Sequence, residues 1–118
     1  MARLAQRKTA GLDLAVNILT NLAVTKGQIT VFGGAQMRPN LHIDDMADLY
    51  LRLLAAPDNQ IDRKTWNAGY HNLKVREIAE LVRQVIGKKV EIVTESTNDN
   101  RSYQVSSEKI AREFGFRP

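Results

Sequence analysis

The sequence has 118 residues in ordinary globular proportions, 43% hydrophobic and 25% charged, which excludes a disordered or fibrous chain and allows one domain with a modest core. Its 17 basic and 13 acidic residues give a net charge of +4, which favours anionic ligands, but no basic run carries interleaved aromatic residues, so nucleic acid is not an expected partner. The absence of cysteine excludes disulfides and thiolate-bound metals.

The first eleven residues, MARLAQRKTAG, contain basic side chains but no apolar core of signal-peptide length. No other part of the sequence reaches the roughly 18 uncharged apolar residues that a membrane-spanning helix needs. We therefore expect a cytoplasmic protein that has no membrane partner. The sequence shows no internal repeat, low-complexity tract or linker, so its elements are expected to form one domain.

The first predicted element is an amphipathic helix. Apolar residues recur at three- and four-residue steps from Leu12 to Ala23, and Gly27 is placed where this helix would end. Gln28–Phe32 follow as a short predicted strand, which two glycines end.

A second helix is predicted after the loop that follows this strand. Asp44 or Asp45 is expected to cap its first turn, and Pro57 lies just beyond its end. The residues predicted for its apolar face are Met46, Leu49, Tyr50, Leu53 and Leu54.

The second half of the chain continues the alternation. The stretch KTWNAG (64–69) is a second strand candidate, and KVEIVTE (89–95) is the third predicted strand. A third helix lies between them, and a short last helix is expected to begin at a serine cap and to end at Gly115. The third helix is predicted from Ile78, Ala79, Leu81, Val82, Val85 and Ile86 with Gly87 at its end, and the cap of the last helix is Ser106 or Ser107. Because each return between strands passes through a helix, we predict an α/β fold of alternating helices and short, mainly parallel strands.

Three residues near the start of the second helix, His42, Asp44 and Asp45, are of types that bind metal ions. They lie too close together to surround an ion, and no other cluster of His, Asp or Glu completes the shell. We therefore predict no metal site, and we interpret Asp45 as a helix cap and His42 as a structural histidine.

Two arginines are the candidates for binding an anion. A helix cap does not need Arg38, and Pro39 restricts the backbone beside it. Its planar guanidinium can hold two phosphate oxygens at once, although on the residues alone a solvated loop arginine is an equal alternative. Arg101 lies in the polar loop NDNRSYQV, where a local turn and an ion pair with Asp99 are the simpler interpretation.

Tyr70 and Lys74 have the Tyr-x-x-x-Lys spacing that places a phenol and an ammonium on one face of a helix. The pair falls in the segment YHNLK, which is predicted to be a loop between a strand and the third helix. We therefore assign it no catalytic role.

Three stretches carry a family pattern: ITVFGGAQMRPNLHIDDMADLYLRLL, TWNAGYHNLKVREIAELV and DNRSYQVSSEKIAREFGFRP. They present in order a Val-Phe-Gly strand, an arginine before a His-x-x-Asp pair, an Asn-x-Gly strand end and a final Arg-x-Tyr. Together they resemble the C-terminal, substrate-binding portion of the NAD-dependent nucleotide-sugar epimerases and dehydratases, which are extended short-chain dehydrogenases/reductases. The resemblance covers residues 12–118 as one nucleotide-sugar-binding-like domain and leaves residues 1–11 poorly matched.

The resemblance implies that this portion binds the nucleoside diphosphate of a nucleotide sugar. It places three residues of the first predicted strand beside the nucleobase and Arg38 on the diphosphate. It makes Arg101, in an Asp-x-Arg-x-Tyr loop, a second phosphate or ribose contact, and it directs Asn17 of the first helix towards the substrate phosphate. The substrate-binding residues implied in this way are Asn17, Thr30, Val31, Phe32, Arg38, Arg101 and Tyr103.

The sequence departs from the family pattern in two respects. It has no Gly-x-x-Gly-x-x-Gly loop between a first strand and a helix, which would lay backbone amides on a pyrophosphate. It also lacks a Ser or Thr with a helical Tyr-x-x-x-Lys before the first helix. We therefore expect no cofactor-binding and no catalytic residue in this chain, and NAD is implied only for the full-length family.

Three functions remain open at this point. The chain is expected to be a nucleotide-sugar-binding fragment of an isomerase or lyase that is inactive alone, a structural module with an unused pocket, or a subunit completed by a separate cofactor-binding chain. The resemblance places the 64–69 strand in the cofactor-domain sheet, whose other strands this chain does not contain, and the apolar face of the second helix needs a surface to cover it. We therefore expect a homo-oligomer or a complex with a cofactor-domain partner.

Overall fold

The computed structural model describes residues 15–99 and 101–118. Residues 1–11 and the predicted helix start at Leu12 lie outside these ranges. The alternation of helices with strands confirms the predicted α/β fold. The elements in chain order are α1 (Ala15–Lys26), β1 (Gln28–Phe32), β2 (Met37–Asn40), α2 (Ile43–Ala55), α3 (Asp58–Ile61), β3 (His71–Lys74), α4 (Val75–Ile86), β4 (Glu91–Glu95) and α5 (Glu108–Phe114).

The described residues form two compact units, and the first draws on residues 15–37, 73–99 and 101–102. Its sheet pairs β1 with β4 in parallel, from Gln28 opposite Glu91 to Phe32 opposite Glu95. α1 and α4 pack on β1 and on each other, so apolar side chains of two helices and two strands share one core. Its buried members are Leu19, Ala23, Ile29, Val31, Ile78, Ala79, Val82 and Val90.

α4 begins and ends at identifiable backbone signals. The N–H of Lys74 donates to Glu77 Oε2 at 2.6 Å, which satisfies an amide at the start of the helix. Gly87 ends the helix with a positive φ of 144°, and its N–H donates to the carbonyl of Arg83. The predicted helix and its terminal glycine are confirmed.

The second unit comprises Arg38–Asn72 and Tyr103–Pro118 and contains α2, α3 and α5. Its core centres on Leu49, Ile110 and Phe116. Trp66 lies with its ring centroid 5.4 Å from that of Phe114, and Tyr70 meets Phe116 edge to face at 5.7 Å. Aromatic side chains from the irregular segment before β3 therefore pack on α5 and the residues that follow it.

The predicted cap of α2 is wrong, because the histidine serves instead of the aspartates. His42 occupies the N-cap position, and its Nδ1 accepts from the N–H of Asp44 at 3.1 Å. Asp44 and Asp45 lie inside the first turn, where their negative charge faces the positive end of the helix dipole. α2 ends at Ala55, before Pro57, as predicted.

The strand predicted for residues 64–69 is also wrong. Residues 64–70 have no regular structure, and the strand before α4 is His71–Lys74, which pairs with β2 and was predicted as a loop. Alternating side chains fit a half-buried strand, but a strand also needs a ladder partner, and the described residues supply one to β3 rather than to 64–70. Trp66 and Ala68 instead contribute their side chains to the core of the second unit.

The N-cap position of α5 is one of the two predicted serines. Ser107 is the N-cap residue, yet its hydroxyl makes no cap hydrogen bond and instead accepts from the N–H of Gly69 at 2.8 Å. Gly115 ends the helix in the left-handed conformation, with φ 75°, as predicted.

Candidate functional site

Arg38 and Tyr103 are the two predicted substrate contacts in the second unit, and they contact each other. The guanidinium carbon of the half-buried Arg38 lies 5.6 Å from the centroid of the Tyr103 ring, within cation–π distance. The in-plane N–H groups of a guanidinium can hold two oxygens of a phosphate. Arg38 therefore has the chemistry that a phosphate site requires.

The three predicted residues of β1 divide between the two faces of the strand. Val31 is only 1% exposed and packs in the core of the first unit, while Thr30 is half-buried and Phe32 is 52% exposed. Successive side chains of a strand point to opposite faces, so Thr30 and Phe32 share one face. Val31 could therefore contact a ligand only through its backbone.

The loop after β1 is held by Gln36, which sequence reasoning did not identify. Its Oε1 accepts from the N–H of Gly34 at 2.6 Å, and its Nε2 donates to the carbonyl of Phe32 at 2.8 Å. A side-chain amide shortly after a Gly-Gly turn is the sequence signal for such a bridge, because it can pair with exposed backbone groups. Gln36 fixes the end of β1, where Phe32 is exposed.

This glycine turn does not fit the pyrophosphate of NAD. The N–H of Gly33 donates to the carbonyl of Glu95, and β2 rather than a helix follows the turn. At the start of α4, the N–H groups of Val75 and Arg76 donate to the carbonyls of Gln36 and Gly34, both at 3.1 Å. The backbone donors around the turn are therefore engaged within the protein.

Arg101 and Asn17 lie in the first unit and are exposed. Arg101 makes the local ion pair considered from sequence: Nε donates to Asp99 Oδ1 at 2.7 Å and Nη2 to Asp99 Oδ2 at 2.6 Å. The Arg101 side chain is 82% exposed, so its ion pair with Asp99 is well solvated. A phosphate would have to compete with Asp99 for the guanidinium.

Tyr70 and Lys74 do not form the helical pair that their spacing allows. Tyr70 precedes β3 and Lys74 is the last residue of that strand, so neither lies on a helix. The Tyr70 hydroxyl donates to the carbonyl of Phe116, and burial raises its pKa, an effect that the charge of Arg117 partly opposes. Tyr70 is a structural residue here.

The second unit also contains a cavity of ≈ 480 Å³. Several of its polar lining groups already bond within the protein, since Asn72 pairs with the backbone of Val105 and Ser107 binds the N–H of Gly69. The lining residues are Tyr70, Asn72, Gln104, Val105, Ser106, Ser107, Glu108, Ala111 and Arg117, and they include neither Arg38 nor Tyr103. The cavity is therefore separate from the predicted phosphate contact.

Neither a metal-binding cluster nor a membrane-spanning helix is found among residues 15–99 and 101–118. No three His, Asp or Glu side chains among them are grouped so that they could hold a metal ion. None of their helices has the length and apolar character needed to cross a membrane.

Comparison with known sequences identifies relatives for most of the chain. A sequence model of the NAD dependent epimerase/dehydratase family matches residues 8–69. Probable GDP-L-fucose synthase 1 from Oryza sativa subsp. japonica is 28% identical over 99 residues, which are 81% of this chain and 29% of that protein.

Solved structures with the same fold include enzymes with different substrates. The NAD-dependent NDP-hexosamine 5,6-dehydratase TunA, involved in tunicamycin biosynthesis, superposes with a TM-score of 0.73 at 21% identity, over 90% of this chain and 35% of that one. L-threonine dehydrogenase from Phytophthora infestans gives a TM-score of 0.73 at 12% identity, over 88% of this chain and 36% of that one. The chain thus spans about a third of the length of the proteins it matches.

Proposed function

Because this chain belongs to the NAD-dependent epimerase/dehydratase family, we propose that it binds the nucleoside diphosphate of a nucleotide sugar. The observation that carries the proposal is the half-buried guanidinium of Arg38 stacked on Tyr103. A guanidinium held in this way is suited to a diphosphate, and the net charge of +4 favours an anion.

The named relatives support this substrate class without deciding it. A GDP-L-fucose synthase and an NDP-hexosamine dehydratase both carry nucleotide sugars in their names. L-threonine dehydrogenase shares the fold and is named for an amino acid. Since the fold serves different substrates, the proposal depends on the phosphate-binding arginine.

In this assignment Arg38 binds the diphosphate, and each good charge-assisted hydrogen bond contributes about 1.5–3 kcal/mol. Thr30 and Phe32 lie beside the nucleobase through their shared face of β1, and Val31 contributes its backbone. The remaining proposed contacts, which add less because they are exposed, are Asn17 and Arg101.

We assign the NAD-dependent isomerase or lyase step to a cofactor-binding region other than residues 15–118, because the Gly33–Gly34 turn does not fit a pyrophosphate. On this proposal the chain supplies substrate binding in the cytoplasm and is inactive without a cofactor-binding partner. No step of hydride transfer is assigned to its residues.

We also propose that the chain forms a homo-oligomer through α2. Three residues of the predicted apolar face, Met46, Leu49 and Leu53, are covered within the chain, because they pack in the core of the second unit. Four large apolar side chains of α2 remain exposed: Ile43 at 72%, Tyr50 at 60%, Leu51 at 67% and Leu54 at 84%. Exposed apolar side chains grouped on one helix are typical of an interaction site. Trp66, in the 64–69 segment that was also expected to need a neighbour, is half-buried and contacts Phe114.

The nucleotide proposal is tested by calorimetry of the chain with uridine, guanosine and thymidine diphosphates. Arg38→Ala is expected to weaken binding at least tenfold, and Arg38→Lys by less, because lysine keeps the charge but loses the planar fork. Arg101→Ala should have a smaller effect, since Arg101 is exposed and paired with Asp99.

The matched control is Arg112→Ala, which removes an exposed arginine near the end of α5 and should leave affinity unchanged. If none of the three diphosphates binds the parent chain, or if Arg38→Ala binds as well as the parent, the proposal is wrong. The structural module would then be the better account of this chain.

A further inference from the structure

The backbone at Arg38 is held by the side chain of Asn40. Asn40 Nδ2 donates to the carbonyl oxygen of Arg38 at 2.9 Å and to that of His71 at 3.1 Å. Both hydrogens of one amide group are thus used on backbone carbonyls. Asn40 therefore ties the residue that carries the guanidinium to the start of β3.

Pro39, between these two residues, approaches Gly69 closely. A Cβ atom on Gly69 would lie 3.0 Å from Pro39 Cβ, so Pro39 would have to shift by a few tenths of an ångström, whereas its 3.5 Å distance from Val105 Cβ is an ordinary contact. The N–H of Gly69 donates to Ser107 Oγ at 2.8 Å. The contact fixes the ring that follows Arg38 against a buried and hydrogen-bonded segment.

A second asparagine, Asn72, holds the backbone at Val105, two residues after Tyr103. Its Oδ1 accepts from the N–H of Val105 and its Nδ2 donates to the carbonyl of Val105, both at 2.9 Å. The Asn72 side chain thus satisfies both the N–H and the carbonyl of Val105, as the backbone of a neighbouring strand would. Tyr103 lies two residues earlier, within about 7 Å along an extended chain.

We propose that Asn40 and Asn72 are positioning residues, which hold Arg38 and Tyr103 in the stacked geometry before a nucleoside diphosphate binds. The inference rests on the proposed function. Neither asparagine needs to touch the ligand, because Asn40 acts through the carbonyl of Arg38 and Asn72 acts through the backbone of Val105, two residues after Tyr103. A guanidinium that is already ordered loses less conformational entropy on binding than a mobile one.

A positioning role and a merely structural role predict different results. Positioning predicts weaker binding by the folded variant, with the same dependence of Kd on salt, because the charge that meets the phosphate is unchanged. A structural role predicts lower stability with unchanged affinity of the folded protein. Removing the guanidinium itself should weaken the salt dependence.

The experiment measures Kd for the three nucleoside diphosphates at two salt concentrations for Asn40→Ala and Asn72→Ala. We expect each substitution to raise Kd about fivefold, with parental salt dependence. Asn40→Ser, which keeps one donor, should recover part of the loss and provides a second variant if alanine impairs folding. Asn67→Ala, at an exposed asparagine of the same unit, is the control and should bind as the parent does.

The mobility of Arg38 is measured without ligand, by nitrogen-15 relaxation of its Nε–H group. This group should become more mobile in both Asn40→Ala and Asn72→Ala. If Arg38→Ala weakens binding while both asparagine variants keep parental affinity and Arg38 mobility, this inference is overturned and the proposed function stands. If the parent binds no diphosphate, the proposed function fails and this inference fails with it.

Discussion

At the scale of single residues, the two candidate arginines differ in what surrounds them. Arg38 is half-buried and stacked on Tyr103, whereas Arg101 is exposed and paired through two hydrogen bonds with Asp99. A nearby carboxylate offsets the positive charge that a phosphate would meet, and solvent weakens what remains. On the proposed function, Arg101 is therefore expected to contribute less to phosphate binding than it would without Asp99.

Tyr70→Phe should lower the free energy of unfolding by about 1 kcal/mol, because the carbonyl of Phe116 loses its buried donor. The substitution should also change the pH dependence. Burial raises the pKa of Tyr70 above 10.0, so above about pH 10 the unfolded chain releases this proton first and unfolding becomes more favourable. Below about pH 10 the tyrosine is protonated in both states and contributes no pH dependence.

Urea unfolding at about pH 8 and about pH 11 measures how much stability the parent and Tyr70→Phe lose as the pH rises. The parent should lose more stability between the two pH values than Tyr70→Phe does. Tyr50→Phe, at a side chain that is 60% exposed, is the control and should keep the parental loss. Equal losses in the parent and in Tyr70→Phe would contradict the assigned role of burial.

At the scale of elements, the residues that were expected to cap α2 and α5 do not make the expected cap hydrogen bonds. The Ser107 hydroxyl binds the N–H of Gly69, which is 38 positions away in sequence, rather than an amide of α5. His42 takes the role that was expected of Asp45 at the start of α2. Local pattern predicted the cap position of α5 but not that of α2, and the donor that the Ser107 hydroxyl binds was decided by which segments lie close in space.

His42→Ala should lower the free energy of unfolding by about 0.5–1 kcal/mol, because the amide of Asp44 loses its acceptor. His42→Asn keeps a side-chain acceptor at the cap and should remain within a few tenths of a kcal/mol of the parent. Thermal or urea unfolding measures both. The cap assignment is wrong if the alanine and asparagine variants are equally stable.

At the scale of the whole molecule, the proposed homo-oligomer depends on the exposed apolar side chains of α2. Sedimentation at tens of micromolar should detect an assembly, and Leu54→Gln should shift it towards the monomer because a polar side chain in the contact is costly to bury. Val85→Gln, on α4, is the control: Val85 is 83% exposed but lies outside the α2 surface. A parent that stays monomeric throughout would refute the homo-oligomer.

The chain should also fail to bind NADH tightly. The amides around Gly33 and Gly34 are engaged by Glu95 and Gln36, and they are followed by β2 rather than by a helix whose N-terminus could face a pyrophosphate. A fluorescence titration should show no saturation in the low micromolar range. Saturation there would mean that a dinucleotide site exists among residues that we assigned other roles.

Local pattern was enough to predict the parts of this protein whose signals are themselves local. Periodic apolar residues gave α4, and β1 was predicted with its observed bounds, Gln28–Phe32. Gly115 ended α5 where predicted. The resemblance to the family was also visible in short motifs, and the family match supports it.

Only the tertiary structure decided the features that depend on residues distant in sequence. Residues 64–70 and 71–74 both suit a strand locally, but ladder pairing with β2 selects His71–Lys74. In the same way Asn72 meets Val105 33 positions away, and Arg38 meets Tyr103 across an even longer separation. Sequence determined the residue types available for a phosphate site, whereas folding determined which of them contact each other, because hydrogen-bond partners are fixed by proximity in space.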